Sequence, residues 1–350
     1  MKKLFQPFVL ATIALICVYL VVIAGSIVRV TGSGMGCPDW PQCFGYVIPP
    51  TNQEVLTIAA GKSFEKGQMV IYHDTLWVAQ YPVVINDQLA FINKGSDAAW
   101  KKYAKHDYAI FNPVHTWIEY INRLLTGLLG LPVLLLFLVA IREGMRKRGW
   151  GLFLWSGLTL VLMLYEAWLG KLVVDGELST GKVTLHMLGS LGIVITLMIA
   201  RERARDRRDE AIQLSRKWWL LGMVLVAVQM ILGTQLREVV DDVIKSGWER
   251  SQWMEQVQLS SDRLVFYIHR TFSWILVAFI FWMANALLKL QHKSVAVTIM
   301  SIVGLETLLG VLLNYFEFPA FAQPLHLLLA FILFGVLLNG FLTKSPRISQ

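Results

Sequence analysis

The chain has 350 residues, of which 55% are apolar and 16% charged, and a formal net charge of +8; its mean hydropathy is +0.54. A soluble domain of this length rarely carries so many long uncharged runs, so a water-soluble globular fold is excluded. The positive charge sits in short connections between those runs, which marks it as membrane topology and excludes nucleic-acid binding.

Eight stretches, near 8–28, 116–141, 151–174, 183–200, 218–236, 264–288, 295–313 and 324–342, approach the ~20 apolar residues that a bilayer requires. The chain therefore reads as an all-α membrane protein of eight transmembrane helices. Lys2 and Lys3 precede the first run, which is too long for a signal-peptide core and lacks an A-x-A site, so it is expected to stay in the protein. Arg142, Arg146, Lys147 and Arg148 follow helix 2, a run from Arg201 to Lys217 separates helices 4 and 5, Lys289 and Lys293 follow helix 6, and Lys344 and Arg347 follow helix 8. These connections hold 17 of the 32 basic residues, while the opposite loops near 175–181 and 314–323 hold none. Excess Lys and Arg mark the cytoplasmic side, so both termini are expected there, in the cell (inner) membrane.

Cys17, within helix 1, reads as inert packing. The first outward loop carries Cys37 and Cys43 with five residues between them. In an oxidising compartment they suit a structural disulfide or a redox-active pair. A polar insert follows, about 50–112, with Gly61, Gly67 and Gly95 as punctuation and strand-like runs at Met69–Tyr72 and Leu76–Ala79. It reads as a small extramembrane subdomain or lid, or as a solvated elaboration without chemistry. In the loop 237–261, Val239, Val240, Val243, Ile244 and Trp248 fall near helical spacing. That pattern fits an amphipathic helix on the outer surface or one packed over the mouth of a helix bundle.

The chain is internally duplicated. Gly25-x-x-x-Arg29 matches Gly233-x-x-x-Arg237, Tyr120-Ile121-Asn122-Arg123 matches Tyr267-Ile268-His269-Arg270, and Glu166-x-x-x-Gly170 with His186 matches Glu306-x-x-x-Gly310 with His326. In both halves the glutamate lies twenty positions before the histidine. Each half starts inside and has four helices, so the architecture expected is two pseudo-symmetric four-helix bundles related by an axis along the membrane normal. The halves divide as 1–200 with its insert, a cytoplasmic basic linker 201–217, and 218–350.

Imidazole buried in a membrane helix is costly unless something binds it, and two imidazoles facing across a bundle suit haem iron. His269 and His326 fall at similar depth near the outer ends of their helices and predict a bis-histidine haem b, since no C-x-x-C-H motif offers covalent attachment. In the first half His186 faces position 122, where asparagine, a poor iron ligand, stands. His115 lies seven residues before Asn122, about 10 Å further out, and could ligate only if helix 2 began irregularly; otherwise it is an interfacial residue. Glu119, one turn from Asn122, is costly to bury unless paired or used, and near a haem edge it could move a proton or stabilise a developing cation. Its second-half counterpart is Phe266, so this carboxylate belongs to the first half alone. The duplicated Glu166 and Glu306 read as helix–helix hydrogen-bonding groups or proton carriers. Arg29, Arg123, Arg237 and Arg270 read as haem propionate partners or as residues snorkelling to the interface.

The segment Val30-Thr31-Gly32-Ser33-Gly34-Met35-Gly36-Cys37-Pro38-Asp39-Trp40-Pro41 resembles the first-loop signature of the haem A synthase family. Ile118-Glu119-Tyr120-Ile121-Asn122-Arg123, Tyr267-Ile268-His269-Arg270 and the histidines at 186 and 326 extend the resemblance over nearly the whole chain apart from the insert. It implies an eight-helix enzyme that oxidises a methyl group of haem O to a formyl group by successive hydroxylations. The C-terminal half would hold haem b on His269 and His326, and the N-terminal half the substrate haem near His186. Glu119 matches the family's catalytic glutamate, and the outer-loop cysteines of the family imply a Cys37–Cys43 bond. Asparagine at 122, where family members often carry histidine, departs from the pattern. Implied partners are haem O and its synthase, an electron donor or acceptor of unknown identity, terminal oxidase assembly factors and the lipid bilayer, with homo-oligomerisation left open. The competing expectations are a cytochrome b-like electron carrier, which would tolerate Glu119→Gln, and a haem transporter or chaperone, which would leave the porphyrin unchanged.

Overall fold

The computed structural model describes residues 6–85, 99–103, 111–146, 150–175, 180–205, 212–249 and 252–343. Among them are eight helices long and apolar enough to cross a membrane: α1 (Pro7–Val30), α2 (Pro113–Met145), α3 (Gly151–Asp175), α4 (Thr180–Arg203), α5 (Arg216–Lys245), α7 (Arg263–Lys289), α8 (Lys293–Tyr315) and α9 (Ala322–Leu342). A short helix, α6 (Trp253–Leu259), lies between α5 and α7. The chain is a multi-pass membrane protein, as its eight apolar runs require.

Helix α5 departs from the sequence reading. It does not stop at 236 but continues to Lys245. Arg237 and Asp241 pair along its axis, and Arg237 Nε donates to Gln323 Oε1 at 2.9 Å, so the charges that looked like a loop are spent on the helix itself. Val240 is fully buried and packs with Trp253, Val257, Phe266 and Phe318, while Trp248 stays exposed. Val239, Val240, Val243 and Ile244 therefore belong to the end of α5, Trp248 lies beyond it, and α6 packs with this end of α5 against Phe266 of α7.

Two compact units organise the chain: Met1–Ser26, Thr126–Ala167 and Thr180–Gln350 form one, and Ile27–Leu125 with Trp168–Ser179 the other. In the first unit α5 touches α7 and α9, and α8 touches α7 and α9, so the second-half helices contact one another in a closed ring; α4 packs on α5 and α9. Glycines permit the close approach of α5 and α9: a Cβ at Gly340 would run into the indole of the fully buried Trp219. In lipid such contacts stabilise through van der Waals fit, because the surrounding acyl chains are as apolar as the side chains.

The second unit holds the loop after α1 and the insert. Strands β2 (Met69–Tyr72) and β3 (Thr75–Ala79) pair antiparallel with Tyr72 opposite Thr75, and β5 (Trp100–Lys102) joins β3. The hairpin turns on His73 and Asp74, both at positive φ as a two-residue turn demands. A second pair, β1 (Ser63–Phe64) with β4 (Val83–Val84), completes the strands. The runs read as strands from the sequence are thus strands, and they enclose two small cores, Cys37, Cys43, Phe44, Leu56, Met69 and Leu76 in one, Phe64, Val70, Ala79 and Ile85 in the other.

Candidate functional site

The first cluster of polar groups is built where the loop after α1 meets the start of α2. Pro113 opens the helix and Asn112 caps it, its Oδ1 accepting from the backbone N–H of Val114 at 3.0 Å and of His115 at 3.3 Å. The helix therefore begins regularly, and His115 stays two turns from Asn122. Gly36 packs directly on this turn: a Cβ there would collide with the His115 carbonyl. Thr116 Oγ1 donates to Gly36 O at 2.8 Å, which fixes the loop to the helix. Cys37 and Cys43 are joined by a disulfide and both are fully buried.

Glu119 lies at the centre of this contact and is 4% exposed. Its Oε2 accepts the backbone N–H of Cys37 at 2.8 Å, and its Oε1 pairs with the guanidinium of Arg123 one turn on. Arg123 also donates to Asp39 O and, at 2.9 Å, to Gln42 O. The Asp39 carboxylate accepts the N–H groups of Phe44 at 2.6 Å and Gly45 at 2.8 Å. Burial lifts the Asp39 carboxyl above its ordinary range, against the downward pull of those N–H bonds and of Arg123. Sequence reasoning found Glu119 and the cysteines but missed that the disulfide loop supplies the amide that holds the carboxylate.

The histidines take their partners from neighbouring helices. His326, in the second turn of α9, presents Nδ1 to Oε2 of Glu306 on α8. His186, in the second turn of α4, presents Nδ1 to Oε2 of Glu166 on α3 at 2.8 Å, and Ser190 Oγ donates to the same oxygen at 3.3 Å. A Cβ at Gly189 would overlap Glu166 Oε1, so the bare glycine is what admits the carboxylate. Both glutamates, read from the sequence as helix–helix hydrogen-bonding groups or proton carriers, meet a histidine on the neighbouring helix. Their partners, the two histidines, could have been found from the twenty-residue spacing present in both halves.

His269, on α7, meets no carboxylate among the described residues. Gln229 Nε2 lies 3.4 Å from its Nε2 and donates to its backbone carbonyl at 3.1 Å, and its Nδ1 is buried without a partner among the described residues. His269 and His326 stand on α7 and α9, within the same compact unit. Gly233 faces the His269 ring and Gly310 the His326 ring, where added Cβ atoms would come within 3.1 and 3.8 Å. An orphaned ring nitrogen on His269, a carboxylate against Nδ1 of His326, and bare backbone beside both rings are a donor set that would suit an iron porphyrin. Glu119, Asn122 and His115 belong to one compact unit and His186 to the other.

A family model described as COX15-CtaA, cytochrome oxidase assembly protein, matches residues 8–76 and 90–338. The chain belongs to that family. It is also 25% identical over 228 residues to a Shewanella oneidensis protein named Heme A synthase, an alignment covering 64% of this chain and 54% of that protein. The chain thus spans about half the length of this curated relative. The family match takes in both members of each His–Glu pair, together with Glu119 and the disulfide.

Proposed function

We propose that this protein is an oxidoreductase of the haem A synthase type, oxidising a methyl group of haem O to the formyl group of haem A. The observation that carries the reading is the twice-repeated pairing of a helix glutamate with a histidine twenty residues on, within a cytochrome oxidase assembly family. As a half-reaction the conversion is R–CH3 + H2O → R–CHO + 4H+ + 4e−, so the protein must hold the porphyrin edge, accept protons and pass electrons on. An iron porphyrin supplies the electron transfer in the C-terminal half and the methyl to be oxidised in the N-terminal half.

Within this reading His269 and His326 hold haem b, and His186 holds the substrate haem. Asn122, where a second imidazole would be the stronger ligand, offers iron only an amide. Glu119 is the catalytic group. Its carboxylate is fixed through both oxygens, by the Cys37 amide and by Arg123, and in that position it stabilises positive charge developing at the porphyrin methyl and receives its proton. His115 stays outside the ligand set, because a regular helix start leaves it two turns from Asn122. Two four-helix bundles with cytoplasmic termini in the cell membrane, haem O delivered from its synthase, and transfer of haem A towards terminal oxidase assembly complete the proposal.

Co-expression with a haem O-producing synthase, followed by haem extraction and mass measurement, tests it. The expected result is haem A. Unmodified haem O beside folded protein overturns the assignment.

A further inference from the structure

We infer that Glu306 and Glu166 are positioning residues for the imidazoles of His326 and His186, each carboxylate accepting the Nδ1 proton so that Nε2 is turned towards iron and made a stronger donor. The inference rests on the proposed haem-binding role and deepens it. In each half the glutamate stands on the third membrane helix and the histidine on the fourth, and in each the contact runs from Nδ1 to Oε2. The same contact arising twice, between helices whose other residues have diverged, points to a requirement of the site rather than a local accident of packing.

A simple clasp between helices does not account for the arrangement. A side-chain hydrogen bond between membrane helices contributes little on average, less than burying a carboxylate costs. Each glutamate moreover leaves its second oxygen, Oε1, buried with no partner among the described residues. Glu166 is accommodated only because position 189 lacks a Cβ. A buried carboxylate kept on one oxygen, against a ring nitrogen, is the arrangement that fixes the tautomer of a metal-ligating histidine and raises its basicity.

The second half then has unequal ligands. His326 is backed by a carboxylate, whereas His269 faces the neutral amide of Gln229. Electron donation to haem b iron comes mainly through His326, which stabilises the ferric state and holds the midpoint potential down. Glu166 acts in the same way on His186 and on the haem bound there.

The test is redox titration of purified protein carrying haem b, as wild type, Glu306→Gln and Glu166→Gln. Glu306→Gln is expected to keep the low-spin two-histidine spectrum, raise the haem b midpoint potential and loosen haem b by roughly 10–100-fold in competition with apomyoglobin. Glu166→Gln is expected to leave the haem b potential where it was and to lower retention of haem O through detergent purification. Haem b present with an unchanged potential in Glu306→Gln overturns the inference, whereas wild-type protein devoid of haem b overturns the functional reading beneath it. Should Glu306→Gln fail to fold, infrared difference spectra of the wild type on haem b reduction decide the matter. Carboxylate bands that shift with 13C-labelled glutamate support the inference, and their absence refutes it.

Discussion

Position 119 in the first half and position 266 in the second occupy the same place in the repeat, and the chain has built opposite environments around them. Around Glu119 stand a disulfide loop, a backbone amide and Arg123. Around Phe266 stand Val240, Trp253, Val257 and Phe318, with α6 closing the cluster. The neighbouring arginines follow suit: Arg123 binds two loop carbonyls as well as Glu119, while Arg270 reaches only to the Tyr315 hydroxyl at 3.4 Å among the described residues. A duplicated scaffold has kept its histidine–glutamate couples in both copies and changed what lies one turn from position 122 or 269. One copy holds a carboxylate bound to a loop amide and a guanidinium, and the other is sealed with aromatic and aliphatic side chains.

The strongest way to break this contrast is Glu119→Gln. It is expected to leave haem b bound and to cut haem O turnover by about 10²–10⁴-fold, the range for loss of a positioned proton acceptor, measured by extracting the haems formed. The converse change, Phe266→Glu, places a carboxylate among apolar groups with no loop amide to meet it. It is expected to destabilise the protein by about 3–5 kcal/mol, the cost of an uncompensated buried charge, and to gain no activity, as read by thermal melting in detergent and by haem analysis. Cys43→Ser sharpens the role of the loop: loss of the disulfide is expected to remove about 2 kcal/mol from the second unit and to lower turnover about tenfold as the Cys37 amide drifts from Glu119. Asn122→His should have the smallest effect on folding, with no measurable change in melting temperature. Its expected outcome is a shift of the bound substrate haem to a low-spin spectrum and about tenfold slower release of product in a haem-exchange assay, consistent with a tenfold step in a rate per ~1.4 kcal/mol.

The membrane helices were legible because an apolar run of sufficient length admits no other structure in lipid. The strands were legible as β-branched and aromatic runs at Met69–Tyr72 and Leu76–Ala79, while the turn at His73 and Asp74 and the strand start at Thr75 were not. The extension of α5 was not, because Arg237, Asp241 and Asp242 have the composition of a loop until the pairing of Arg237 with Asp241 along the helix and with Gln323 is seen. Within the candidate site, residue types and spacing gave the histidines and glutamates. The Glu119–Cys37 contact spans 82 positions and uses a main-chain donor, which leaves no trace in residue type. The His–Glu contacts did leave a trace in the repeated interval of twenty, but an interval across a helical hairpin does not say which faces meet.

That main-chain donor carries a practical consequence for mutagenesis. A peptide amide survives the exchange of any side chain except proline, so an alanine scan through the loop would register displacement of the chain while the donor itself remained in place. Cys37→Ser or Cys37→Ala would retain the group that touches Glu119 Oε2. Only an ester linkage introduced at that bond, or proline at 37, would delete it, and the shortfall between those replacements and a side-chain exchange at the same position would measure how much of the glutamate's placement the backbone alone secures.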